Sequence, residues 1–162
     1  MEYYAKNIIE DIFEFIKTCP FADDYHIDFA PASIQAFSDS APDGSALDYA
    51  GSVLMTDEID LQERRFTKRQ ANFTLWLKRK SEYNLERQEV ADFLFNFENW
   101  IEHCQAYNLT PKISDNDTDK KVERMWADNG IFFGEWDNEK TSLYMIQIHI
   151  EYYNRYEEIF DY

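Results

Sequence analysis

The chain has 162 residues, 44% hydrophobic and 17% aromatic, enough to bury one sizeable core and too apolar for a disordered chain. Its 32 acidic and 16 basic residues give a net charge of −16 at pH 7, which opposes contact with nucleic acid unless the charge is segregated. No apolar run reaches membrane-spanning length, and the opening MEYYAKNIIEDIFEF lacks the basic start and apolar block of a signal peptide.

Residues 3–18 read as a first helix. Ile8, Ile12, Phe15 and Cys19 share one stripe, widened by Ala5, Ile9, Phe13 and Ile16, and Pro20 stops it. Between 25 and 38, the alternations Tyr25–Ile27–Phe29 and then Ile34–Ala36 or Gln35–Phe37 predict one or two short strands broken at Pro31. The small, acidic stretch 38–50, with Pro42 and Gly44, predicts a long loop. Beyond it, 51–55 predicts a brief strand, and the acidic 56–63 carries no clear pattern.

The stretch Arg64 to Lys80 is the densest signal. Ala71, Phe73, Leu75 and Leu77 alternate with Asn72, Thr74, Trp76 and Lys78, the period of a strand with one buried face. Charge is segregated around it: residues 61–81 hold seven basic residues against one acidic, +6, between flanks that each sum to −11. Such an island suits docking against an acidic surface, including that of another copy. The candidate inter-subunit docking residues are therefore Arg64, Arg65, Lys68, Arg69, Lys78, Arg79 and Lys80. Phe66, Phe73 and Trp76 among them also fit single-stranded nucleic acid, a reading the surrounding negative charge opposes. Cations solvating the ends of a strand are the plainest reading.

The clearest helix covers about 85–105, with Asn84 as its cap. Val90, Leu94, Phe97, Ile101 and Cys104 form its apolar face, broadened by Phe93 and Trp100. The last third reads as a meander. Residues 122–127 and IFFGEW make a hairpin through Asp128-Asn129-Gly130, Asp137-Asn138 marks the next turn, and 142–153 alternates as a final strand. The tail, 156–162, is acidic. Since helices and strands are not regularly interleaved, the expected fold is a single α+β domain over 1–162. It has an antiparallel β-sheet flanked by two main helices, about 3–18 and 85–105, and a C-terminal β-meander.

The chemistry-bearing residues do not converge. Asp115-Asn116-Asp117-Thr118-Asp119 matches the start of a calcium loop, but Lys120 stands where the turn glycine belongs and Trp126 where the bidentate Glu belongs. His26, His103 and His149 are scattered, and His149 reads as an exposed or cross-strand partner on a strand's polar face. There is no phosphate loop, nucleophile elbow or HExxH pattern. No catalytic, metal or cofactor residue is assigned. Two cysteines, Cys19 and Cys104, make no disulfide framework and fit a reduced cytosolic setting, with a Cys19–Cys104 bridge as the alternative.

The segments QANFTLWLKR (70–79), ADFLFNFENWIE (91–102), LTPKISD (109–115), NGIFFGEW (129–136) and LYMIQIHIEYY (143–153) together resemble phage proteins. The family is the tail-terminator or minor-capsid-type, head–tail joining proteins of Gram-positive phages and prophage-like tail particles. The likeness covers about residues 66–155 and lies in fold-forming segments. It implies a non-enzymatic subunit, made in the bacterial host cytoplasm, that assembles with itself into a hexameric ring in the virion tail. That ring caps the tail tube, meets the head connector, and lets DNA pass its lumen without specific binding. The alternative from another class is an acidic inhibitor, a DNA-mimic anti-restriction or toxin-immunity protein, for which the basic island is awkward.

Overall fold

The structure, a computed structural model, describes residues 8–25, 27, 29, 44–80, 84–114, 119–136 and 141–156. Five strands, β1 (Gly44–Ile59), β2 (Arg65–Lys80), β3 (Lys112–Ser114), β4 (Asp119–Trp136) and β5 (Thr141–Tyr156), form one sheet in the order β1-β2-β5-β4-β3. Every neighbouring pair is antiparallel. Two helices, α1 (Ile8–Ile16) and α2 (Asn84–Ala106), and a short 3-10 turn, Asp23–Tyr25, complete the described elements. The fold is α+β, as the mix of periods predicts.

The core follows from those periods. Ala71, Phe73, Leu75 and Leu77 of β2 are buried, as are Ile146, Ile148 and Ile150 of β5 and Val122 and Met125 of β4. Registers Leu75↔Ile146, Phe73↔Ile148 and Ala71↔Ile150 place these side chains in rows on one face. Onto it α2 lays Val90, Phe93, Leu94, Phe97 and Ile101, and α1 adds Ile12, Phe13 and Ile16. The helices meet through Phe15 and Trp100, stacked at 5.1 Å. Each large apolar side chain so buried stabilises by about 1.5–3 kcal/mol. Helix α2 ends where Asn108 turns to φ 57° and the Leu109 amide donates to the Cys104 carbonyl at 2.8 Å, satisfying an otherwise orphaned acceptor.

Three expectations are corrected. Residues 44–50, expected as loop, begin a 16-residue strand that runs through Thr56–Ile59, because β2 supplies the hydrogen-bond ladder that the acidic sequence does not advertise. Asp128-Asn129-Gly130 is no hairpin turn but a bulge within the continuous β4, with the register shifting between Asp128 and Ile131 and Asn129 at φ 55°. There the turn residues serve a close approach instead. A Cβ on Gly130 would lie 3.0 Å from the Leu94 Cβ, and the Gly130 amide donates to Glu98 Oε1 at 3.1 Å. The third concerns α1, which closes at Ile16 rather than at 18, with Thr18 Oγ1 donating to the Phe15 carbonyl at 2.6 Å. The region expected as short strands opens with the 3-10 turn. Most of the rest of it, the proposed turn at 137–138, the calcium-like 115–118 and the tail beyond 156 lie outside the described residues.

Helix α2 also seals the sheet edge beside it. Gln105 accepts from the Met125 amide at 2.8 Å and donates to the Glu123 carbonyl at 3.2 Å, while Thr110 Oγ1 donates to the Val122 carbonyl at 3.4 Å. Side chains thus occupy main-chain groups that would otherwise template another strand.

Cys19 and Cys104 are free and buried. Burial pushes the Cys19 thiol from 9.0 up to about 11 and raises that of Cys104. A thiol raised by folding stabilises the native state fully below its unfolded value and loses that contribution as pH climbs through the folded one. The melting temperature should therefore fall between pH 9 and 11, the window set by Cys19, and Cys19→Ala should flatten part of that slope. At neutral pH, thiol reagents should label the chain only after denaturation.

Candidate functional site

The basic island sits on β2 and the turn before it, and the structure divides it. Arg64 Nε meets Asp60 Oδ2 at 2.8 Å, and the Arg64 amide donates to Asp60 Oδ1 at 2.9 Å. Arg65 forks onto Asp57 through Nε at 2.9 Å and Nη2 at 2.6 Å. These hydrogen bonds hold both aspartates below the usual carboxylate range, for Asp57 chiefly the Arg65 side chain and for Asp60 chiefly the Arg64 amide. Lys68 pairs with the buried Glu151 at 3.2 Å. Arg69 is half-buried between Leu54 of β1 and Tyr152 of β5.

Two members of the strip are corrected. Lys78 is 1% exposed and Arg79 9% exposed, and Arg79 Nη1 donates to the Tyr25 carbonyl at 2.9 Å. Neither offers charge to a neighbouring molecule. The side chain of Lys80 lies outside the described residues. Much of the local positive charge is thus answered by the same chain, through Asp57 of β1, Asp60 of the turn and Glu151 of β5.

The face of the sheet turned from the helices carries a polar ladder. His149 Nδ1 lies 2.5 Å from Asn72 Oδ1, which also accepts from Gln70 Nε2 at 2.9 Å, and His149 Nε2 lies 2.9 Å from Asp128 Oδ1. Trp126 stacks on the imidazole at 5.0 Å, and the Arg124 guanidinium sits 4.6 Å from the Trp126 ring. Both imidazole nitrogens are engaged by neighbouring side chains. The ladder's evident work is to tie β2, β5 and β4 together, the cross-strand role expected for His149. Among the described residues, no group of three or more His, Cys, Asp or Glu could hold a metal ion. No described helix is long and apolar enough to cross a membrane.

Sequence reasoning missed two exposed apolar features. The first is the far end of the β1–β2 hairpin, an arm on which every β1 residue from Ser52 to Ile59 is exposed. It shows Val53, Leu54, Met55 and Ile59, with Leu61 fully exposed at its tip. The acidity of 56–63 hid it. The second is a half-open cavity of about 220 Å³ between α2 and β4, lined by Leu94, Phe95, Ile131, Phe132 and Tyr144 and flanked by Arg87 and Glu98. Gly130, in the bulge of β4, stands against Leu94 of α2 in its wall, a pairing of residues distant in the chain that no local sequence signal announces. No protein-family model matches this sequence, and no curated protein matches it either.

Proposed function

We propose that the chain is a non-enzymatic assembly subunit of the phage tail-terminator kind. Copies join into a hexameric ring that caps the tail tube and offers a surface to the head connector. The observation that supports this reading most is the arm, whose apolar side chains stand in solvent on a hairpin with ordered geometry. Exposed apolar groups in such number mark contact surfaces. A ring needs two unlike patches on each subunit, since a heterologous contact that closes makes a ring. The net charge of −16 repels DNA passing through the lumen.

Light scattering and negative-stain electron microscopy of the concentrated full chain test the reading. Closed rings of uniform diameter are expected. A chain that stays monomeric at every concentration and binds a basic nuclease tightly sinks it in favour of an inhibitor.

A further inference from the structure

Asp60 organises the arm's tip. Its Oδ1 accepts from the amides of Gln62 and Arg64, both at 2.9 Å, its own amide donates to the Arg64 carbonyl at 2.9 Å, and its carbonyl accepts from Glu63 at 3.0 Å. Glu63 takes a φ of 63° to close the turn. The result is a fixed loop that holds a leucine wholly in solvent, where an unpartnered apolar side chain gains nothing for the isolated subunit. Ile59, 63% exposed, stands just before it.

The cavity between α2 and β4 has the complementary character. Its walls are apolar, and its volume of about 220 Å³ has room for one branched aliphatic side chain. Phe95, Ile131 and Phe132 remain exposed around its mouth. Arg87 stands at the rim, its guanidinium 4.4 Å from the Phe132 ring and its Nη2 2.8 Å from Glu135 Oε1. Glu58 and Glu63, near the tip, form no ion pair among the described residues, while the rim holds Arg87 already paired with Glu135 and has Glu98 beside it, so the match between tip and cavity lies in their apolar groups.

A subunit cannot join these two features within itself. The cavity lies level with Trp76 and Leu77 of β2, through the registers Trp76↔Met145↔Ile131 and Leu77↔Tyr144↔Phe132. The tip lies beyond Arg65, at the other end of that strand. At roughly 3.3 Å per residue the two are about 35 Å apart along β2 alone, and they lie toward opposite edges of the sheet.

We propose that the arm tip of one copy, with Leu61 as its anchor, docks in the α2–β4 cavity of a second copy. The inference rests on the self-assembly reading above and names the contact that would carry it. Because tip and cavity are different surfaces, the contact is heterologous and repeats from subunit to subunit, the arrangement that closes rings.

The test uses full-length Leu61→Cys and Phe95→Cys variants, mixed and treated with a short bis-maleimide; both positions are exposed, and the native cysteines are buried. A cross-linked dimer is expected from the mixture and not from either variant alone. Leu61→Asp, at a site that contributes nothing to the core, should keep the circular dichroism spectrum and weaken self-association by about tenfold or more, the loss expected from withdrawing one buried leucine. Rings that persist in Leu61→Asp without a mixed cross-link overturn the contact and leave the ring reading standing. Leu61→Cys pairing with itself but not with Phe95→Cys also overturns it, in favour of a two-fold tip contact. A chain that is monomeric throughout and never cross-links overturns the contact, and the ring reading falls with it if that chain also binds a basic nuclease tightly.

Discussion

Phe93→Ala should lower the unfolding free energy by about 3–5 kcal/mol, the range for deleting a large buried aromatic side chain. Phe93 is fully buried at the crossing of α2 with the segment that follows α1. Its ring centre lies 6.0 Å from Phe21, 5.7 Å from Tyr25, 6.1 Å from Phe29 and 5.6 Å from Phe97. Aromatic partners at such separations contribute beyond the area they bury. They are also too stiff to collapse into the space left behind. Domains of this size are stable by only about 5–15 kcal/mol, so the variant should unfold at clearly lower urea with an unchanged slope. A loss under about 1 kcal/mol, against the expected cavity cost, would show that the cluster does not pack as described.

Lys68→Met should also be costly, by about 3 kcal/mol, at the low end for breaking a buried ion pair. Glu151 is 5% exposed and faces Lys68 Nζ at 3.2 Å. Removing the ammonium strands a carboxylate where water reaches it poorly, and the half-exposed lysine keeps the effect below that of a fully buried pair. The double variant Lys68→Met, Glu151→Gln should recover much of the loss, since the stranded charge is gone. Urea denaturation of both single variants and the double gives the coupling. Independent, additive losses would mean that Lys68 is a surface cation after all. This separates Lys68 from a docking role: its first duty lies across the β2–β5 ladder.

Where burial depends on local geometry, the sequence alone determined the outcome. The period of two over Ala71–Leu77 and Tyr144–Ile150, and the 4-3-4-3 spacing from Val90 to Cys104, name side chains that are indeed buried, because strand pleat and helical turn set which residues share a face. The α+β class followed from where those periods change. The tertiary structure decided what depends on residues distant in the chain. Strand β1 was expected only over 51–55, because Ser45, Ala46 and Leu47 are buried in succession without alternation, its distal half is exposed on both faces, and its ladder is supplied by β2. Asp128-Asn129-Gly130 carries hairpin chemistry, yet β5 pairs with β4 on both sides of it, so it forms a bulge whose Gly130 approaches Leu94 of α2. The basic island is dense in sequence, but antiparallel pairing gives Arg65 to Asp57 and Lys68 to Glu151, and packing buries Lys78 and Arg79. Charge along a chain is additive; charge on a surface depends on which partners the fold brings within reach.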